Sequence, residues 1–306
     1  MIAIRWVSEA RWPAAYLTYV PPLLWAAPLV GLGAVAAIRR DRFGFRVWLI
    51  AVILWAGPGM GAAIPFGARP PRSGNAAIRV LSWNVQKAPD GWGAIRAAVT
   101  HLGPDIVVLQ EIGVDQAAVR AAEACFPGWT HSYDQDVFIA SRFARAIDAS
   151  SRSAPTAFPL ATLDVAAGGS RVRVLGVHLK GPTYRLAPAI ERQGLRRALG
   201  ERNAERRQQV ATLLHRIGRR DAPTIVAGDF NTPPFGRLYR QLTADLRSAF
   251  AVGGWGWGNT YPSHLPVQRI DHVLVSRDWR VSGSRIVTLP GSDHRAVVAD
   301  ISLPTR

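Results

Sequence analysis

One cysteine, two lysines and two methionines are all that 306 residues contain of those types. A lone cysteine excludes an intrachain disulfide and any multi-cysteine metal site. Cys125 closes an Ala-rich helical pattern over residues 115–125, where a buried, inert thiol is expected rather than a nucleophile. Common catalytic signatures are missing too. Ser141 has no Gly-x-Ser-x-Gly elbow, no Gly-x-x-x-x-Gly-Lys phosphate loop occurs, and no dinucleotide fingerprint follows a strand. There is no internal repeat and no low-complexity tail. Because Lys87 and Lys180 are the only lysines, the formal charge of +16 is almost wholly guanidinium. Such a charge favours anionic partners, whether nucleic acid, phospholipid headgroups or phosphorylated metabolites, without choosing among them. An arginine excess beside abundant Ala, Gly, Pro and Trp is also what biased base composition produces.

The length allows one sizeable domain plus something smaller. Residues 14–38 and 47–68 carry no charge, and runs of about 25 and about 22 residues are each long enough to cross a bilayer. Pro21, Pro22 and Pro28 in the first, and Gly57-Pro58-Gly59 in the second, predict kinks. Trp12, Tyr16, Tyr19, Trp48 and Trp55 suit the membrane interface. Between the runs, residues 39–46 hold four arginines, which the positive-inside rule places in the cytoplasm. The expected organisation is a two-helix transmembrane anchor over 1–68, an extended linker over 69–76 and a soluble domain over 77–306. The anchor would sit in a bacterial cytoplasmic membrane with the soluble domain outside.

Beyond residue 77, short apolar strands are expected at 78–85, 105–112, 137–141, 171–179, 224–230, 270–276 and 297–303. Helical patterns fall at 92–102, 115–125 and about 187–219. Strands that sometimes alternate with helices and sometimes follow each other directly predict an α/β domain with mixed sheets. In the long helix, Arg192, Arg196, Arg197, Arg202, Arg206 and Arg207 stand beside Glu191, Glu201 and Glu205 at spacings of a solvated, salt-bridged face.

Six of these apolar segments end, begin or are preceded by polar clusters: Ser82-Trp83-Asn84, Gln110-Glu111, His178, Gly228-Asp229-Phe230-Asn231, Asp271-His272 and Ser292-Asp293-His294. Asn, Asp and Glu are poor strand formers and costly to bury, so their repeated placement points to one shared polar site. Oxygen donors without a cysteine pair suit Mg²⁺ or Mn²⁺. Such an ion polarises a phosphoryl group while a carboxylate and an imidazole handle the protons. His272 adjoins Asp271 on one strand and is expected on the opposite sheet face.

Taken in this order, the motifs resemble the endonuclease/exonuclease/phosphatase superfamily, the group of DNase I-like nucleases, abasic-site endonucleases, sphingomyelinases and inositol-phosphate phosphatases. The resemblance covers about residues 78–303. It implies a four-layer sandwich of two mixed β-sheets flanked by helices, here preceded by the transmembrane hairpin. It also implies roles. Glu111 is the principal metal ligand, with Asn84 and Asp293 close to the same ion. Asp229 activates the attacking water, held by Asn231. His294, oriented by Asp271, contacts the phosphate or transfers a proton, and His178 stabilises the phosphate or the leaving oxygen. Gln86 stands where abasic-site endonucleases of the family commonly carry an acidic residue, which speaks against DNA repair.

Residues 253–262 form a glycine-spaced loop with Trp255 and Trp257, able to cover a substrate, stack on a base or touch a bilayer. Thr260, in a Thr-Tyr-Pro element that recurs in the family, helps order the site. The expected enzyme is a membrane-anchored, metal-dependent hydrolase of a lipid-linked or headgroup phosphate or pyrophosphate, with the bilayer as partner and no protein partner. A membrane-tethered, DNase I-like nuclease is the alternative, and a phosphate-binding module without turnover a minor one.

Overall fold

The computed structural model describes residues 18, 20–69, 77–146, 157–181, 192–218 and 222–303. Part of the first expected apolar run, residues 70–76 of the expected linker, and the outer ends of the long helical stretch (187–191 and 219) lie outside them.

Strands β1 (Ile78–Asn84), β2 (Ile106–Gln110), β3 (Thr130–Asp134), β4 (Val137–Ser141), β10 (Arg280–Val287) and β11 (Ala296–Ser302) form one sheet in the order β10-β11-β1-β2-β4-β3. A second sheet runs β5-β6-β7-β9-β8, from β5 (Leu160–Ala167), β6 (Ser170–His178), β7 (Thr224–Asp229), β8 (Arg247–Ser248) and β9 (Asp271–Val275). Each sheet is mixed. β1 runs parallel to β2 and β6 parallel to β7, and the other pairings are antiparallel.

Three apolar layers account for the architecture. Val80, Ile106, Val108 and Ile139 of the first sheet meet Leu163, Val174, Ile225 and Val273 of the second in a continuous buried core. On the outer face of the first sheet, Leu81, Trp83, Val107 and Leu109 pack under α3 (Trp92–Leu102) and α4 (Gln116–Ala124), through Ile95, Val99, Val119 and Ala122. Beyond the second sheet, Leu175, Val177 and Val226 pack under α5 (Arg192–Ile217) and α6 (Arg237–Leu242), through Val210, Leu213, Leu238 and Leu242. The order is helix, sheet, sheet, helix, and alternation along each strand supplies both faces. A short helix, α7 (Ala249–Gly253), follows β8 and is capped by the Ser248 hydroxyl, which accepts from the Ala251 amide.

Ahead of the sandwich stand α1 (Ala27–Ile38) and α2 (Arg42–Leu54). Asp41 caps α2 by accepting from the amides of Phe43 and Gly44, each at 3.0 Å. Trp48 enters the space that Gly33 leaves open and donates its indole N–H to the Leu29 carbonyl at 2.7 Å. Neither expected span is one long α-helix. Pro22–Ala26 is a 3-10 turn before α1, Trp55–Gly59 is a π turn after α2, and an irregular segment follows to residue 69. Among the described residues no helix is long and apolar enough to cross a membrane. The prolines and Gly57-Pro58-Gly59 interrupt the regular hydrogen-bond ladder where their chemistry requires it.

One glycine is dictated by strand packing. A Cβ on Gly228 of β7 would lie 1.9 Å from the Val177 carbonyl oxygen of the parallel neighbour β6. Backbone cannot yield by that amount. Gly228→Ala is expected to destabilise the fold by roughly 4 kcal/mol or more, in the range reserved for severe core defects. Urea unfolding would check it, and a loss below about 1 kcal/mol, the ordinary substitution cost, would refute this packing.

Candidate active site

The site lies where the two sheets present corresponding strand ends. Asn84 ends β1 and Glu111 follows β2, the parallel neighbour whose Gln110 is in register with Asn84. His178 ends β6 and Asp229 ends β7, in register with each other. Antiparallel β9 begins at Asp271, opposite Asp229, and His294 stands two residues before β11.

Asp229 is the hub, with 1% of its surface exposed. Its Oδ1 accepts from the Asn231 amide at 2.8 Å, and its Oδ2 from the side-chain amides of Asn231 (3.2 Å) and Asn84 (3.3 Å). Two imidazoles face the same Oδ2, His294 through Nε2 at 3.8 Å and His178 through Nε2 at 3.9 Å. Each ring is held from behind by a carboxylate. His294 Nδ1 lies 2.9 Å from Asp271 Oδ2, and His178 Nδ1 lies 2.9 Å from Asp136 Oδ2. The arrangement is therefore two carboxylate–imidazole pairs aimed from opposite sides at one buried carboxylate. With both Nδ1 atoms committed, both Nε2 atoms are presented to the site.

Electrostatics follow from this geometry. Burial disfavours charge on His294, but the charges of Asp271 and Asp229 outweigh it and push the imidazole up to about 10. His178 is likewise opposed by burial, then raised to about 9 by the Asp136 hydrogen bond and the charges of Asp229, Asp136 and Glu111. Asp229 is raised to about 6 by burial and by the Asp271 charge, against the pull of both imidazoles and the Asn231 amide. His272 lies outside this arrangement. It is buried against Tyr239 and Phe230, donates from Nε2 to the Thr232 carbonyl at 2.8 Å, and is driven by burial and the Arg269 charge to about 3.

Glu111 completes the set. Its carboxylate is about one-third exposed, accepts from Asn84 Nδ2 at 2.9 Å and lies 3.9 Å from His178 Nε2. One ligand atom each from Glu111, His178 and Asp229 fall within 4.8 Å of one another. The carboxylate oxygens of Glu111 and Asp229 fit a hard divalent cation such as Mg²⁺ or Mn²⁺, while His178, held protonated, stands beside them as a donor rather than a ligand. Charge balance points the same way. Glu111, Asp136, Asp229 and Asp271, when ionised, carry four negative charges against two positive on His178 and His294. Asp293, whose charge also acts on His294, adds to this negative excess, which a divalent cation would partly offset. Asp293 stands beside this set rather than in its tightest group. Its charge supports the protonated His294, and its amide donates to Gln86 Oε1 at 3.2 Å.

Backbone geometry at the site is costly. Glu111 (φ 54°) and Asn231 (φ 47°) are non-glycine residues in the left-handed region, each a strain of about 1–2 kcal/mol. Glu111 is held there by the Lys87 amide, which donates to its carbonyl at 2.7 Å. Asn231 is held by its bonds to Asp229 and by Arg206, whose Nη2 donates to the Asn231 carbonyl at 2.8 Å and to Thr232 Oγ1 at 2.7 Å. Arg206 is 1% exposed. The solvated face expected for the long helix is therefore wrong at this residue: α5 turns Arg206 inward because the bent chain at 231–232 needs a donor.

Of the loop residues, Thr260 is fully buried, and its hydroxyl accepts from the amides of Ile270 (3.1 Å) and Asp271 (3.3 Å). Tyr261 lays its ring 4.8 Å from that of His294. Trp257 donates its indole N–H to the Ala56 carbonyl at 2.8 Å, and Trp255 is 75% exposed. Ser292 ties two site strands together, donating to the Asn84 carbonyl at 2.6 Å and accepting from the His294 amide at 3.0 Å. Sequence reasoning missed Asp136, which looks like ordinary turn chemistry between β3 and β4. The only signal was an acid placed directly before an apolar strand.

A sequence profile described as the Endonuclease/Exonuclease/phosphatase family matches residues 81–294. No curated protein sequence matches the chain. Several solved structures share the fold. D. rerio TDP2 complexed with single strand DNA product is 16% identical, with a TM-score of 0.56 over 74% of this chain and 99% of that one. An endonuclease/exonuclease/phosphatase family protein from Bacteroides thetaiotaomicron is 17% identical, with a TM-score of 0.53 over 76% and 100%. Another from Beutenbergia cavernae DSM 12333 is 20% identical, with a TM-score of 0.51 over 74% and 72%.

Arg206→Met would leave the Asn231 carbonyl and the Thr232 hydroxyl without this donor. Stability is expected to fall by about 1–3 kcal/mol, the cost of unsatisfied buried groups, and turnover to fall with little change in KM. Arg197→Met, removing a guanidinium that is 83% exposed, is the control and should alter neither. Equal behaviour of the two variants in urea unfolding and steady-state kinetics would show that Arg206 does not position Asn231.

Proposed function

The chain belongs to the endonuclease/exonuclease/phosphatase family and is a hydrolase of phosphoester bonds, and we propose that it works at a membrane surface on a lipid-linked or headgroup phosphate or pyrophosphate. The observation that carries this substrate class is the apolar pair α1–α2. Val30, Leu32, Val35, Ile38, Ile50, Ile53 and Leu54 all stand exposed on it, and the segment after it is hydrogen-bonded to the sandwich that holds the site. Helical turns continue from Pro22 to Ile38 and from Arg42 to Gly59, apolar around most of their surface. Helices that are apolar around most of their surface have lipid as a natural solvent. Tethering the site there raises its effective concentration toward a membrane substrate. The arginines of 39–46 orient the anchor with the catalytic domain on the extracytoplasmic face of a bacterial membrane.

In the proposed mechanism Glu111, with Asn84 and Asp229 beside it and Asp293 at the margin, would hold the divalent cation. When bound, that cation polarises the phosphoryl group and offsets its negative charge. Asp229, fixed by Asn231 and Asn84, orients the attacking water and accepts its proton, a task suited to a carboxylate raised to about 6. His294 and His178, held protonated by Asp271 and Asp136, donate from Nε2 to the phosphate oxygens and supply the proton that the leaving oxygen takes. Both donors are preorganised, so little reorientation is required as charge develops.

A tethered nuclease is the second reading, favoured by the arginine-dominated charge of +16. Full-length chain in detergent micelles, supplied with Mg²⁺, would be offered polyprenyl pyrophosphate, phospholipids and plasmid DNA. Phosphate or headgroup release with intact plasmid is expected, and nicked plasmid with untouched lipid would overturn the lipid reading. His294→Ala and Asp229→Ala should each lower turnover by at least about a hundredfold, and chelation should abolish it. Activity surviving both substitutions and chelator would remove the site itself. Protease added to intact cells should digest the catalytic domain, and protection until lysis would reverse the orientation.

A further inference from the structure

Residues 60–69 do not behave as a tether leaving the apolar helices. Ala63 and Gly256 exchange two backbone hydrogen bonds, at 2.7 and 2.9 Å, and the Arg69 amide donates to the Val281 carbonyl on β10 at 2.9 Å. Gly67 seats closely on Val252 of α7, and Met60 and Ala63 are buried. Arg269 fastens the junction. Its guanidinium, 3% exposed, donates from Nη2 to the Gly61 carbonyl at 3.0 Å and from Nη1 to the Trp257 carbonyl at 2.7 Å, and it lies 4.7 Å from the centre of the Phe250 ring. The Trp257 indole reaches back to Ala56. A charged side chain sunk between two carbonyls and a ring is a rigid joint rather than a swivel.

What the joint displays is unusual. The antiparallel Ala63–Gly256 bridge sets Ile64 opposite Trp255, with Phe66 in the turn that follows, and Ile64, Phe66 and Trp255 are 50%, 91% and 75% exposed. Apart from Val114, Tyr133 and Leu265, every exposed large hydrophobic among the described residues lies on this edge, on the neighbouring Trp257 or on the helical unit before it. Aromatics left in water on an ordered scaffold forgo the stabilisation that burial would give them. We propose that Ile64, Phe66 and Trp255, clasped to the catalytic domain by Arg269, form a second lipid-contacting surface that lies in the headgroup boundary and fixes the active site at the bilayer. This rests on the membrane reading of α1–α2. Lipid, rather than a protein groove or a second copy, is the occupant because the edge continues through residues 55–60 into α2, whose Leu49, Ile50, Ile53 and Leu54 are themselves uncovered.

The edge also reaches the chemistry. From Trp255 the loop arrives six residues later at Tyr261, against the His294 ring, and Thr260 anchors it to the amides of Ile270 and Asp271. Six residues span at most about 20 Å. With Trp255 at headgroup depth, the mouth of the site stands within that distance of the lipid phosphates.

The test uses full-length chain in phosphatidylcholine–phosphatidylglycerol vesicles, with Cys125→Ser removing the only thiol. An environment-sensitive fluorophore is placed singly through Trp255→Cys, Phe66→Cys, Ile53→Cys on α2, or Tyr133→Cys on the far strand β3. Lipids carrying a nitroxide high on the acyl chain should quench the 53, 66 and 255 positions several-fold more than 133. Quenching at 53 with 66 and 255 resembling 133 would overturn the second surface while leaving the anchor intact. A blue-shifted but unquenched 66 or 255 would place protein there instead and overturn it equally. An unquenched 53 would remove the anchor reading, and this proposal with it. Labels at 66 and 255 serve as independent variants should one disturb folding.

Discussion

The constraint on which the site depends is that Asp229 has no access to bulk water. An ionised carboxylate taken out of solvent costs several kcal/mol unless charge and hydrogen bonds replace its hydration. Around Asp229 the replacements come from every side: an amide and a side-chain amide from Asn231, another from Asn84, and two imidazoles each backed by its own carboxylate. Those backing carboxylates create the next debt of burial. Asp271 sits opposite Asp229 in the sheet, so its charge opposes that of Asp229 while sustaining His294. Additional positive charge would close the network, and the side on which it can enter is that of the one-third-exposed Glu111.

Sheet topology makes this crowding achievable. The two parallel pairs, β1 with β2 and β6 with β7, bring Asn84 and Glu111 to one edge and His178 and Asp229 to the facing one. Packing the sheets face to face through Val80, Val108, Val174 and Ala227 then fixes the separation between the edges. Strained backbones at Glu111 and Asn231 turn the chain just beyond the strand ends, so that side chains point across the gap rather than along it. Strain of this kind persists only where neighbours hold it, which explains a buried arginine on α5 whose hydrogen bonds go to the turn at 231–232.

Much of this was readable in the residues because it obeys strong local rules. Apolar strands ending in acids, amides and histidines announced the shared site, and the seven strands read from apolar runs agree with those observed to within two residues at each end. Strands β3, β5, β8 and β10 escaped for physical reasons. β3 is half exposed, β8 is two residues long, β10 is a largely polar edge strand, and β5 mixes small residues with an internal Asp164 that pairs with Arg171 and Arg173. The Gly168-Gly169 turn between β5 and β6, both residues at positive φ, was the overlooked hairpin signal. Asp136 and Arg206 escaped because their roles are set by tertiary contacts. Nothing in a turn acid or one helix arginine among many marks which will be buried.

The segment from 60 to 69 shows the same limit and gives it a functional edge. Its proline, glycines and alanines read as the tail of an apolar run followed by a linker, and composition alone cannot tell a tether from a strap. The difference is made by Arg269, which looks from sequence like one more contributor to a diffuse positive charge. Buried, it becomes a fixed link between the Gly61 carbonyl, the Trp257 carbonyl and the strand that opens at Asp271. A flexible linker would raise local concentration of substrate and leave orientation to chance. A strap joined two residues from Asp271, the carboxylate that holds His294, sets the direction in which the site opens relative to the apolar helices. Under the proposed membrane reading, in which the substrate is confined to a surface, that direction decides whether the phosphate can arrive within reach of Asp229 at all.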